Sequence, residues 1–222
     1  MISVALADDQ TLIRTAVAEL VGNEPGLEVV GSAVNGREAV ALVRSRHPDI
    51  VLMDIRMPVM DGIQATEAIR RDPELTATKI VILTTFEEDD YVVDALRAGA
   101  SGFVGKGTEA ADLMSAIRIV HEGESLLSPR ATRALISRYL TPQAAPSPAV
   151  PNGLEMLTER EREILHLVGC GLSNAEIASG LFISPQTAKT HVNRVMSKLG
   201  AHERAGLVII AYESGLVVPG SP

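Results

Sequence analysis

The stretch LMDIRMPVMDG, residues 52–62, closes the apolar run Ile50, Val51, Leu52, Met53 with a carboxylate, Asp54. Consecutive aliphatic residues of this kind are the pattern of a strand covered on both faces, as in a parallel sheet. A charge at the end of such a strand is costly unless a nearby group needs it. In open α/β sheets that end is also where ligands bind, beyond the C-terminal ends of the strands and at the point where strand order reverses. What Asp54 is for therefore depends on what stands at the ends of the neighbouring strands.

Working outward from Asp54, short β-branched runs alternate with amphipathic stretches as far as about residue 125. The candidate strands are ISVALA (2–7), LEVVGSA (27–33), DIVLMD (49–54), KIVILTT (79–85) and GFVGK (102–106). Between them lie helical segments such as TLIRTAVAELVG and GREAVALVRSRH, and EAADLMSAIRIVHEG follows the last. Five strand-helix units predict a three-layer α/β domain with a doubly wound, five-stranded parallel sheet. A helix over SPRATRALISRYL (128–140), with Pro129 just inside its start, leads out of that domain. The segment TPQAAPSPAVPNG (141–153) has four prolines and no charge, and reads as a semi-rigid linker. The domains are accordingly 1–125, a helix and linker over 126–153, and 154–222.

Composition narrows the function. The net charge is −8 and the pI near 5.2, so nucleic acid or an anionic membrane could be met only by a local patch. The single cysteine, Cys170, excludes an internal disulfide and suits a reducing compartment; it lies in an apolar helical stretch and is expected to be a packed thiol. The N-terminus MISVALADDQ reads as a first strand and not a leader, and no apolar run approaches a membrane span. A cytoplasmic protein with no membrane partner is expected.

The strand ends supply Asp8 and Asp9, Asp54, Thr84 and Thr85, and Lys106. Three adjacent carboxylates repel one another unless a cation joins them. Oxygen donors with open positions favour Mg2+, which keeps waters and takes phosphate as a partner. Lys106 can then pair with an incoming phosphoryl oxygen, the Thr84 hydroxyl can donate to another, and Asp54 is placed as a nucleophile able to accept phosphoryl as an acyl phosphate. Singly, each acid would be an ordinary solvated loop residue; their convergence from several strands is what points to a site. The acidic run EEDD (87–90) is read as the solvated first turn of a helix.

With ADD (7–9), MDIRMPVMDG (53–62), LTT (83–85) and GFVGK (102–106), residues 1–125 resemble a response-regulator receiver domain. The resemblance implies a flavodoxin-like fold and transfer of phosphate to Asp54 from a partner histidine kinase. It implies a magnesium site of Asp8, Asp9, Asp54 and the Arg56 backbone carbonyl, and a switch made of Thr84 and Phe103. Phe103 stands where this family often has tyrosine, so its switch would be steric. Gly107 follows Lys106 where many receivers carry a proline after a cis bond; a cis bond to any other residue costs about 3–4 kcal/mol, which weighs against that feature here.

Beyond residue 154 four short helices are expected. Thr158 with Glu161, and Ser173 with Glu176, have capping-box spacing; Ser184 and Pro185 open a third helix that runs to about Leu199; RAGLVIIAYESG is the fourth. The brief LFI turn (181–183) makes this a helix-turn-helix. In the third helix Ala188, Val192, Val195, Met196 and Leu199 form one stripe, and Lys189, Thr190, Asn193, Arg194 and Ser197 the opposite face. Lys189, Thr190 and Asn193 are assigned to base edges of double-stranded DNA, and Thr187, Arg194 and Lys198 to phosphates. A solvent face that merely avoids acids is the competing reading, since residues 141–222 hold six basic and seven acidic residues; yet 186–202 has no acid at all.

LTEREREIL, GLSNAEIA and ISPQTAKTHVNRVMSKLG resemble the LuxR-type helix-turn-helix, and the whole chain is similar to the NarL/FixJ family of two-component transcription regulators. That likeness implies a homodimer when phosphorylated, a two-fold DNA operator and RNA polymerase as a further partner. The last helix either pairs two such domains or only covers the core. A magnesium-dependent aspartyl phosphohydrolase would want a second carboxylate close after its nucleophile, and Arg56 and Met57 stand there. A dinucleotide enzyme would want glycines in the first turn, which reads ADDQT. A constitutive or ligand-driven regulator would not need the acid and lysine set. No turnover of an outside substrate is expected, at most self-phosphorylation from small donors and self-dephosphorylation.

Overall fold

The computed structural model describes residues 1–85, 89–123, 126–127 and 153–217. The chain divides into two compact units, Met1–Ala134 and Leu135–Pro222. The helix expected over 128–140 and nearly all of the proline-rich linker lie outside the described residues, as do Glu87 and Glu88 of the acidic run.

In the first unit β1 (Ile2–Ala7), β2 (Leu27–Ala33), β3 (Ile50–Met53), β4 (Lys79–Thr84) and β5 (Gly102–Gly105) alternate with α1 (Thr11–Asn23), α2 (Gly36–Arg46), α3 (Gly62–Arg71), α4 (Asp89–Arg97) and α5 (Ala110–His121). All strand pairs are parallel, and the order is β2-β1-β3-β4-β5. A sixth strand, β6 (Leu126–Leu127), adds to the β5 edge by pairing Gly102 with Leu126 and Phe103 with Leu127. It begins one residue past the expected end of the domain at 125. Two residues carry no periodicity, which is why the sequence hides it.

The apolar runs behave as a parallel sheet requires. Each residue of β3 is buried, and in β4 only Lys79 is not. On one face Val4, Leu6, Leu52, Val81, Leu83 and Val104 pack with Val21 of α1 and with Leu113, Ile117 and Val120 of α5. Alternate residues Ala5, Ala7, Val51, Met53, Ile80, Ile82 and Phe103 are buried on the other face. Buried Arg70 of α3 ties the far end of β4 and β5 together. Its guanidinium donates to the carbonyls of Thr78 (2.8 Å) and Gly99 (2.8 Å) and to Ser101 Oγ (3.2 Å), which accepts from Ile80 N (3.0 Å).

The quoted stretch has a structural reason for its last three residues. The Met60 carbonyl accepts from Gly36 N at 2.9 Å, joining α2 to the loop. Asp61 is the N-cap of α3 and forms a capping box with Gln64. Gly62 N donates to the Ile55 carbonyl at 2.8 Å, so close that a Cβ there would land on the Asp54 carbonyl oxygen and 2.9 Å from its carbonyl carbon. Within the same loop Val59 has φ +70 and is 72% exposed, a left-handed position that a β-branched residue occupies only with strain. No cis peptide bond occurs among the described residues.

The second unit has α6 (Glu159–Gly169), α7 (Asn174–Leu181), α8 (Pro185–Leu199) and α9 (Arg204–Glu213). Thr158 with Glu161 and Ser173 with Glu176 both form complete capping boxes, and Ser184 accepts from Thr187 N ahead of Pro185. Ala188, Val192 and Val195 are buried, with Met196 and Leu199 partly so, in a core that includes Ile164, Leu165, Val168, Ile177, Leu207 and Ala211. Cys170 departs from expectation: it is exposed, because α6 ends at Gly169 and the thiol sits on the cap outside the apolar stripe. No helix among the described residues is long and apolar enough to cross a membrane.

Gly62→Ala should cost the first unit at least about 2 kcal/mol, because the obstruction is backbone and cannot move aside. In urea denaturation, the transition of the first unit should shift to lower denaturant while that of the second, in the same chain, stays in place.

Candidate functional site

Strand order reverses between β1 and β3, whose neighbouring C-terminal ends carry Asp8, Asp9 and Asp54. Asp54 N donates to the Ala7 carbonyl (2.8 Å) and Asp8 N to the Ala33 carbonyl (3.1 Å), so the ladder hydrogen bonds fix the backbone of both acids. Asp8 and Asp54 are buried, at 5% and 2% exposure, and Asp9 is exposed. From the end of β5, Lys106 reaches both. Its Nζ lies 2.6 Å from Asp8 Oδ2 and 2.7 Å from Asp54 Oδ2, with the lysine side chain 5% exposed. The other oxygen of Asp54 accepts from Ile55 N at 2.8 Å, and that of Asp8 from Gln10 N at 2.8 Å.

Burial by itself would lower the Lys106 pKa; the hydrogen bonds and charge of Asp54 and Asp8 outweigh it and hold the ammonium above its ordinary range. Within this group three carboxylates face one ammonium, which leaves two negative charges to be balanced. One oxygen from each of Asp8, Asp9 and Asp54 can be chosen so that all lie within 4.8 Å of one another. The donors are hard carboxylate oxygens without nitrogen or sulfur, which fits Mg2+.

Thr84 and Phe103 are completely buried, at 0% exposure, whereas Thr85 is exposed. The Lys106 N–H donates to the Thr84 carbonyl at 2.9 Å, coupling the two strand ends. The Arg56 side chain lies outside this cluster, with its guanidinium carbon 5.5 Å from the centre of the Tyr91 ring on α4. Two participants carried no sequence signal. Arg14 of α1 donates to the Asp8 backbone carbonyl at 2.7 Å, and Tyr91 meets Arg56 across 35 residues at 3.4 Å.

In the second unit, α8 exposes Thr187, Thr190, Asn193 and Arg194, with Lys189 half-buried beside them. The Thr190 hydroxyl donates to the Gln186 carbonyl (2.9 Å), so outward it offers lone pairs and a methyl group. Lys198 stands apart from the others. Its Nζ is 2.6 Å from Glu161 Oε2 and 3.0 Å from the Met156 carbonyl, so its charge ties the end of α8 to the start of α6. The Lys198 ammonium, helped by hydrogen bonds from Thr158, holds the Glu161 carboxyl down to about 2. Sequence spacing missed this pair because 37 residues separate its members. His166, one turn before Cys170 at the end of α6, carries no sequence signal; Cys170 Sγ and His166 Nε2 are 3.6 Å apart.

Residues 4–118 match the model of the response regulator receiver domain, and residues 155–211 that of the bacterial regulatory proteins of the luxR family. The chain is 38% identical over 216 residues to the response regulator protein VraR of Staphylococcus aureus (strain Mu3), covering 97% of this chain and 99% of VraR. It is 37% identical over 221 residues to the transcriptional regulatory protein LnrK of Bacillus subtilis (strain 168), covering 98% and 100%. The crystal structure of the response regulator ChrA of a heme-sensing two-component system matches with a TM-score of 0.53 and 31% identity, over 97% of this chain and 98% of ChrA.

Because the folded-state pKa of Glu161 is depressed, its ion pair stabilises the second unit fully above the ordinary carboxyl value and loses that contribution as pH falls toward about 2. Lys198→Met should therefore lower the thermal midpoint of this unit at neutral pH, and the gap from the native chain should close on acidification. Scanning calorimetry across pH 2 to 7 reads both.

Proposed function

We propose, from the premise that this chain belongs to the two-component response regulators built of a receiver domain and a LuxR-type DNA-binding domain, that Asp54 is its phosphoacceptor and α8 its DNA-reading helix. The observation that carries the first assignment is the Lys106 ammonium held between Asp8 and Asp54 at the switch point of the sheet. A partner histidine kinase presents a phosphohistidine. A carboxylate oxygen of Asp54 attacks phosphorus, the phosphorus–nitrogen bond breaks, and an acyl phosphate forms. Lys106, already desolvated and charged, transfers its pairing from the Asp54 carboxylate to a phosphoryl oxygen, and the Thr84 hydroxyl hydrogen-bonds another.

Asp8, Asp9, Asp54 and the Arg56 carbonyl would hold Mg2+, which when bound neutralises charge on the phosphoryl oxygens. Small phosphoryl donors could enter the same site without a kinase, and water could later release the phosphate. Thr84 and Phe103 form the switch. Phe103 is fully buried here, so switching requires a second state in which the ring takes another position. Phosphorylation pairs two chains and raises the local concentration of two reading heads on a two-fold operator. On DNA, Lys189, Thr190 and Asn193 face base edges while Thr187 and Arg194 contact phosphates. Lys198 fixes the angle of α8 through Glu161 and takes no direct part.

Incubation with magnesium and a small phosphoryl donor, followed by intact mass spectrometry, should add one phosphoryl group to the native chain and none to Asp54→Ala. No adduct on the native chain would remove the phosphoacceptor assignment. Lys189→Ala should lose about 1–3 kcal/mol of sequence discrimination while the second unit keeps its circular dichroism. Retained specificity in a gel-shift competition would mean that another face of α8 does the reading.

A further inference from the structure

We propose that His166 and Cys170 form a binding site for a tetrahedral divalent cation of the zinc class. His166 is in the last turn of α6 and Cys170, four residues on, is its C-cap with φ and ψ still in the right-handed helical region, so the two side chains can meet over the end of the helix. Their donor atoms, Nε2 and Sγ, are 3.6 Å apart. Bonds of about 2.3 Å to sulfur and about 2.0 Å to nitrogen, meeting at the tetrahedral angle, place those atoms about 3.5 Å apart. The separation of the pair therefore matches one edge of a zinc tetrahedron.

The imidazole is also set for this purpose. Nδ1 lies 3.2 Å from the Leu216 carbonyl, which has no proton to give, so Nδ1 carries the hydrogen and Nε2 keeps its lone pair. A ligating histidine is commonly oriented in this way by a backbone carbonyl. The thiol is exposed, which gives an ion access, and the C-terminal end of a helix favours a cation over a bare thiolate. Binding exchanges the Sγ–H bond for an Sγ–metal bond and releases that proton to solvent. Waters complete the shell. Through the Leu216 carbonyl the ion would tie the end of α6 to the segment after α9, where Gly169 already packs so closely that a Cβ would meet Ala211 and Val217 at 2.7 Å.

Cobalt(II) alone, titrated into the full chain, reports a thiolate ligand by a sulfur-to-metal charge-transfer band that carboxylate sites cannot give. The band should appear in the native chain and in Asp54→Ala, vanish in Cys170→Ser, and need at least about tenfold more metal in His166→Gln. Zinc should displace the cobalt, because a soft thiolate ligand selects zinc. Absence of the band from the native chain would overturn the proposal, as would an unchanged titration in His166→Gln.

Discussion

The ammonium of Lys106 between two buried carboxylates is the interaction on which the first domain turns. Removing three charged groups from water costs several kcal/mol per ion, and only close, hydrogen-bonded geometry recovers it. At 2.6 and 2.7 Å that geometry is met. Meeting it constrains the sheet: β1 and β3 must be neighbours to bring the acids together, and β5 must lie two strands further on at the reach of a lysine. The glycine at 62 and the aspartate cap at 61 serve the same end, because they let α3 start against the backbone of Asp54 and hold the loop above it.

The second domain solves a different problem with the same forces. Its sum of charges is close to neutral, and its structure separates the signs. Glu159 and Glu161 stand in the first turn of α6 and Glu176 in that of α7, where capping boxes and the positive ends of the helices use them. The outer face of α8 is left without an acid. One pair, Glu161 and Lys198, crosses between these regions and fixes α8 on α6, so charge that would be surplus on the reading face becomes part of the frame.

Much of this was legible in the sequence, for physical reasons that differ by residue. Consecutive buried aliphatics marked β3 and β4, and a carboxylate at the end of β3 was conspicuous because it should not be there without a partner. Three of the four helix starts after residue 157 are legible because caps are local: Thr158, Ser173 and Ser184 act within three residues. What was not legible is what depends on distance along the chain. Lys198 finds Glu161, and Tyr91 finds Arg56, through packing that no local pattern encodes. Cys170 is exposed although its neighbours in sequence are apolar, because the helix ends one residue earlier and turns the thiol outward. The strand Leu126–Leu127 was missed since two residues give no period.

The placement of Asp8, Asp54 and Lys106 on β1, β3 and β5 has a consequence for synthesis on the ribosome. The chain emerges from its N-terminus, so both acids are exposed to water long before the lysine exists. A half-made domain has no lysine with which to bury them, and they stay hydrated. The carboxylates can be buried as a pair only after the fifth strand docks, 52 residues beyond Asp54. The chemistry of the site thus certifies that the fold is finished: a truncated chain would lack the lysine, a misassembled one would hold it out of reach, and neither could pass for a working one.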